Sequence, residues 1–155
     1  MKELFKSAVH IILMKDNKVL IQKRKGTKLW SGYFALPAGH IDAGENQYEA
    51  LVREAKEELG IEIDINDIIN EYVVLRRNYF EIDGKVLEPY IDYYFEINKY
   101  KGKESIMEND KCDELLWVDI NNLPDPFINY EGVFLEDRTI KTYDCREDGA
   151  YVRKR

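Results

Sequence analysis

The chain has 155 residues, 45% of them apolar and 12% aromatic, enough for one domain with a sizeable core and too many for a disordered chain. Its formal net charge of −7 argues against broad, sequence-independent binding to a nucleic acid polymer, which needs a basic surface. A small anionic substrate stays open, because a bound cation or a local basic group reverses the sign of a single pocket.

The N-terminal run "MKELFKSAVHIILMKDNK" holds a short apolar stretch followed at once by charges, so neither a signal peptide nor a membrane span is expected. With two cysteines, Cys112 and Cys145, and no CxxC pair, the reading is of reduced thiols in a cytoplasmic protein. "SAVHIILM" and "KVLIQKR" flank the turn "KDN" and predict a strand, a tight turn and a second strand. "KGTKLWSGYFALPAG" reads as a loop whose last part, "YFALP", could form a short strand. A helix follows. Asn46 with Glu49 three residues on matches a capping box, and Gly60 is a natural stop.

Beyond the helix, "IEIDI", "EYVVLRRNYF", "YIDYYFEINKY" and "LLWVDI" read as strands, with "KGKESIMENDKCDE" an acid-rich loop before the last of them. A second helix is expected after Pro126. The tail "KTYDCREDGAYVRKR" shows no clear period, and its basic end reads as a solvated terminus. Strands dominate, with two helices between them, which predicts a mixed sheet covered by helices on its faces in a single domain spanning residues 1–155. The reading is compatible with a homodimer.

The first helix carries the chemistry. At about 100° per residue, Glu54, Glu57 and Glu58 share an arc of roughly 100°. Tyr48, Leu51, Val52, Ala55 and Leu59 form the stripe beside it, facing the core. Clustered carboxylates repel, and most acidic helix faces are simply solvated. A hard divalent cation is the functional alternative: Mg²⁺ takes oxygen ligands, keeps several waters and bridges one or two carboxylates to substrate phosphates.

At these residues the chain resembles the Nudix hydrolase family. The pattern is carried by Gly39, Glu45, Arg53, Glu54, Ala55, Glu57, Glu58, Gly60 and Ile61, with Pro37 just ahead and "LLWVDINNLP" like the family's closing strand and turn. Every constrained position matches, although Ala55 is small for its apolar slot. The resemblance implies an α/β fold, an α/β/α sandwich around a mixed sheet with the motif as loop–helix–loop. It also implies hydrolysis of a nucleoside diphosphate linked to another moiety, with Mg²⁺ or Mn²⁺.

Carried over, Glu54, Glu57 and Glu58 would hold the metal together with the Gly39 carbonyl. Arg53 would orient a glutamate, Glu45 would tie the loop to the helix, and Gly60 would turn the chain out of it. The family usually adds an acid from a later loop. Here the candidates are Glu104, Glu108, Asp110, Asp113 and Glu114, with Glu108 preferred and Asp110 next. Outside the motif, Lys23 and Arg24 could reach phosphates. Trp30, Tyr33 and Phe34 could stack on a base, and Asn129 could read a base edge.

By size the chain resembles the small triphosphate-cleaving branch, including enzymes that remove oxidised guanine nucleotides, with ADP-ribose or nucleotide-sugar hydrolysis as the alternative. A nucleotide-sensing module would favour lost motif carboxylates, and none is lost. An isomerase of related fold would need a cysteine near the site.

Overall fold

The computed structural model describes residues 1–155. Strand β1 (Lys6–Lys15) turns at Asp16 and Asn17 into β2 (Lys18–Arg24). A loop leads to two short strands, β3 (Phe34–Ala35) and β4 (Ala38–His40), and then to helix α1 (Gln47–Glu54). The long β5 (Ile68–Asn78) is followed by a two-stranded ribbon of β6 (Glu81–Ile82) and β7 (Lys85–Val86). Next come β8 (Tyr90–Ile97), β9 (Cys112–Asp119), α2 (Asn129–Glu136), β10 (Thr142–Arg146) and β11 (Gly149–Lys154).

One sheet runs β11-β10-β5-β8-β1-β2-β3, with β4 added on β1 and β9 on β2. It is mixed: β1 pairs parallel with β8 and β5 with β10, and the other pairs are antiparallel. The strand alternation of period two sorts β1 between the two faces. Val9, Ile11 and Leu13 join Leu51, Ala55 and Leu59 in the core beneath α1. Ile12 joins Val74, Tyr94, Phe134 and Tyr143 in the core beneath α2. A sheet with a helix-covered core on each face is the sandwich that the sequence implied.

The tail is a correction. It forms the edge hairpin β10–β11, and Tyr143 and Cys145 are fully buried in the α2-side core. "TYDCR" alternates inward and outward like any half-buried strand, but five residues are too short a run to stand out. "IEIDI" is the second correction. Ile61 and Ile63 are buried as alternation requires, yet Glu62 makes only an isolated bridge to Lys101 and a 3₁₀ turn follows at Ile65–Asp67. Periodicity there reports burial without a ladder. The third is "LLWVDI": the strand begins earlier, at Cys112, which takes Asp113 and Glu114 out of the loop and onto β9.

Candidate active site

Helix α1 starts as read from the sequence. The Asn46 side chain accepts from the Tyr48 and Glu49 amides while Glu49 accepts from the Asn46 amide, a closed capping box. Its last turn does not stay α-helical. Ala55–Leu59 widens into a π turn that stops at Gly60, whose φ of 69° is in the left-handed region. The wider turn separates the glutamates. Glu57 remains exposed, whereas Glu58 turns inward and its Oε2 accepts the Ala38 amide at 3.1 Å. Val52, expected in the core stripe, is 37% exposed.

Arg53 is the hub. Its Nε and Nη2 donate to the two carboxylate oxygens of Glu45 at 2.7 and 2.8 Å, a bidentate pair that joins loop to helix. Nη1 donates to Glu54 at 2.7 Å and to Glu57 at 3.1 Å, and Nη2 reaches the His40 carbonyl at 2.9 Å. Glu45 also accepts the Asp42 amide at 2.8 Å. Bonds from Arg53 and Asp42 together bring the Glu45 carboxyl down to about 2. Gly39 on β4 lies against Glu54, and a Cβ there would overlap the Glu54 carboxylate. Glycine at this position is a matter of space.

Burial raises the Glu54 carboxyl above the usual range despite Arg53, with Glu57 and Glu108 adding to the rise. Burial raises Glu58 well above it, with help from Glu54 and Glu108. Glu108 is brought in by the loop before β9. The Ser105 and Met107 amides take the end-of-helix carbonyls of Leu59 and Glu58, which would otherwise lack partners. Of the loop acids, Glu108 alone lines the cavity that holds Glu54, Glu57 and Glu58. Glu104 is engaged elsewhere, accepting from Tyr100 and Trp117, and Asp113 pairs with Lys25 at 3.2 Å.

The cavity measures about 510 Å³. Its lining falls into two groups that meet at β4, the glutamates with Gly39 (the glutamate end) and Trp30, Tyr90 and Tyr130 with Arg76 and His10 (the aromatic end); Lys6, Arg24 and Lys111 also line it. The expectation of substrate contact at Lys23, Tyr33 and Phe34 is not met by this wall. Along β2, Gln22 and Arg24 share the parity that faces the cavity, and Lys23 falls on the opposite parity with its Nζ 5.8 Å from the Phe34 ring. Tyr33 packs edge-on to Trp30 at 4.9 Å, and both Tyr33 and Phe34 pack on the α2-side core. Asn129 is also displaced: it donates to the Arg146 carbonyl and accepts from Cys145, fastening α2 to the terminal hairpin. Sequence reasoning missed Arg76, Asp92 and Glu131 and gave His10 no role at the site. Each is a polar residue on the inward parity of a strand or helix, which is the signal that could have found them.

No three acidic or histidine side chains stand at closed metal-cage spacing. The donor set nonetheless fits a hard cation that keeps its waters: oxygen ligands only, mutual repulsion among Glu54, Glu58 and Glu108, and a side-chain-free cradle at Gly39.

A family model described as the NUDIX domain matches residues 4–137. The chain belongs to the Nudix family. It is 34% identical over 126 residues to the ADP-ribose pyrophosphatase of Methanocaldococcus jannaschii, covering 81% of this chain and 69% of that one. It is 33% identical over 79 residues to the CTP pyrophosphohydrolase of Escherichia coli, covering 51% and 54%. The fold is similar to the crystal structure of a MutT NUDIX hydrolase from Burkholderia pseudomallei, with a TM-score of 0.71, 24% identity, and coverage of 86% of this chain and 98% of that one. Within the Nudix family this chain is an enzyme of the pyrophosphohydrolase kind.

Proposed function

We propose that this Nudix enzyme hydrolyses a nucleoside triphosphate, normal or oxidised, to the monophosphate and pyrophosphate, with Mg²⁺ or Mn²⁺ held by Glu54, Glu57 and Glu58 and the Gly39 backbone. The observation that carries the reading is the acidic cluster at one end of a cavity whose other end is aromatic. Nudix hydrolases generally use divalent metals such as Mg²⁺. When bound, the ion would neutralise phosphate charge, polarise a phosphoryl oxygen and make water a stronger acid.

The residues of the chain do the rest. Arg53 fixes the side-chain rotamers of Glu54 and Glu57, so the oxygen donors are oriented before substrate arrives. Glu108 accepts the proton of the attacking water. Among the four cavity glutamates its carboxylate alone takes no bond from Arg53 or from a backbone amide, with Lys111 at 3.5 Å as its neighbour, so it is free to accept one from a water. Water oxygen bonds to phosphorus in line with the breaking P–O bond, and the bridging oxygen leaves with pyrophosphate. Arg24 offers a cation to the phosphates. It lines the same cavity as the glutamates, and its Nε is buried without a partner.

A second reading, ADP-ribose hydrolysis, is favoured by the 34% identity to a relative of that name. A screen with Mg²⁺ that separates the nucleotide products by chromatography decides between them. It should cover normal and oxidised nucleoside triphosphates, ADP-ribose, dinucleoside polyphosphates and nucleotide sugars, with Glu57→Gln as the control. Turnover of triphosphates that the control lacks is the expected result. Turnover of ADP-ribose alone would replace the first reading by the second, and silence throughout would overturn both.

A further inference from the structure

Between β3 and β4 the chain changes neighbours, from β2 to β1, within Leu36 and Pro37. A crossing of this kind interrupts the ladder and leaves amides to be paired by other means. Pro37 has no N–H, and its carbonyl accepts from Ile11 at 2.8 Å. The two remaining amides are each taken by a glutamate, from opposite faces of the sheet. Ala38 donates to Glu58 of the π turn, and Leu36 donates to Oε1 of Glu131 on α2 at 2.9 Å. Glu58 belongs to the motif, and Glu131 is its counterpart from the other face.

Glu131 is itself held by a buried network. Its Oε2 lies 2.6 Å from His10 Nδ1, and His10 Nε2 lies 2.9 Å from Asp92 Oδ1. Arg76 donates to both Asp92 oxygens, at 2.7 and 3.2 Å, with its guanidinium 3.8 Å from the Tyr130 ring and 4.3 Å from that of Tyr90. Glu131 is 1% exposed, His10 2% and Asp92 0%. Four buried charged groups are costly to fold, and an apolar set of the same volume is often as stable or more so. Stability therefore does not account for their presence, whereas a fixed backbone does.

We infer that Glu131 and His10 are positioning residues for the Nudix box. Resting on the proposed reaction, the inference is that the four-residue network clamps the Leu36 amide and thereby sets where the Ala38 amide and the Gly39 backbone meet Glu58 and Glu54. His10, Arg76, Tyr90 and Tyr130 also line the cavity, so side chains that would face the nucleoside also align the box.

The test is Glu131→Gln, which keeps the shape and an acceptor for Leu36 but withdraws the carboxylate from His10. Three readouts apply: kcat and KM on the substrate found above, amide exchange at Leu36 and Ala38 by NMR, and Mn²⁺ affinity by electron paramagnetic resonance. Expected are a fall in kcat of about 10–100-fold with KM within about threefold, exchange at Leu36 faster by about tenfold, and weaker Mn²⁺ binding. Asp92→Asn, two contacts further from Leu36 through His10, should move all three in the same direction and less. Phe134→Leu in the same core, whose ring stacks on Tyr94 and bonds to none of these charged groups, should lower the melting temperature with kcat unchanged.

Unchanged kcat, exchange and Mn²⁺ affinity in a folded Glu131→Gln protein would overturn the inference. So would loss of kcat in Phe134→Leu in parallel with its melting temperature. Should Glu131→Gln not fold, Asp92→Asn decides by the same criteria. If the native chain hydrolyses no nucleotide while Leu36 exchange and Mn²⁺ binding change as expected, the proposed reaction falls and the positioning role stands.

Discussion

At the aromatic end of the cavity Asp92 and Glu131 face His10 and Arg76, two anions against two cations, each within 3.2 Å of a partner of opposite charge. At the other end Glu54, Glu57, Glu58 and Glu108 face one guanidinium in hydrogen-bond contact, Arg53, which also serves Glu45, and the Lys111 ammonium beside Glu108. The first set is complete within the chain. Its carboxylate Asp92 is buried, but Arg76 and His10 hold it well below the usual range. The second set is not complete: burial and mutual repulsion leave Glu54 and Glu58 raised. Two clusters built from the same carboxylate chemistry therefore differ in what they still lack, and the difference separates a device that holds backbone from one suited to a cation.

The largest effect should come from removing an acid at the incomplete end. Glu57→Gln is expected to lower kcat by about 10³-fold, or ~4 kcal/mol of barrier, with the melting temperature little changed because the side chain is exposed. Glu58→Gln should abolish turnover as fully and raise the melting temperature, since a neutral amide can still accept from Ala38 without repelling Glu54 and Glu108. Removing a charge from the complete end, as in Asp92→Asn, should lower stability instead. If both ends responded alike in thermal melts of the metal-free protein, the contrast in compensation would be wrong.

Gly39→Ala comes next. The added methyl overlaps the Glu54 carboxylate, and either that side chain or β4 must shift. A displacement of about an ångström costs roughly 10²-fold in rate, so kcat should fall by that order while the chain stays folded through the pairing of β4 with β1. Full activity in Gly39→Ala would mean that Glu54 is not held close to the Gly39 backbone during turnover.

A smaller effect separates the ends by pH. Burial alone would lower the His10 imidazole, but Asp92 and Glu131 outweigh it and raise it to about 9 from 6.5. Its surroundings are Asp92 and Tyr94 from β8, Glu131 and Tyr130 from α2, and Arg76 from β5. A group raised on folding stabilises fully below its unfolded value, and the gain is lost as pH climbs through the folded value. Thermal melts should therefore show stability falling between about pH 6.5 and 9, with the fall moved to lower pH in Glu131→Gln. A Glu131→Gln profile that superposes on the native one would show that His10 does not carry its charge in the folded protein.

The two ends also differ in how far the sequence disclosed them. Most of the glutamate end is local: Gly39 to Ile61 is one contiguous segment whose helix spacing gathers three acids with Arg53, and Glu108 alone arrives from a distant loop. The complete end is assembled from β1, β5, β8 and α2, with His10 and Glu131 separated by 121 positions, and no spacing rule spans that gap. What was available was parity. His10 shares the inward face with Ile12, and Asp92 shares it with Tyr94, so a charged residue stands where the pattern asks for an apolar one. Both helices and most strands followed from periodicity and capping, and the failures have physical causes. "TYDCR" was too short to show its alternation, and "IEIDI" was buried without a partner strand. The π turn that rotates Glu58 inward depends on tertiary packing against Ala38, which a helical wheel drawn at a constant angle does not contain.

The last prediction concerns the cation offered to the phosphates. Lys23 and Arg24 are equal candidates for phosphate contact by composition, but β2 turns them to opposite faces, and only Arg24 lines the cavity. Arg24 has spare capacity: its Nε is buried without a partner, and Nη2 makes one long bond, 3.4 Å, to the Leu29 carbonyl. An unpaired buried donor costs about 1–3 kcal/mol, which a phosphate oxygen entering the cavity would return. Arg24→Ala should therefore raise KM by about tenfold, near 1.4 kcal/mol, with a lesser change in kcat. Lys23→Ala should leave both within about twofold, as ordinary surface substitutions do. Steady-state kinetics of the two variants side by side would test the geometry of β2 directly. An effect at Lys23 equal to that at Arg24 would mean that substrate reaches both faces of the strand, and the cavity would no longer define where the nucleotide lies.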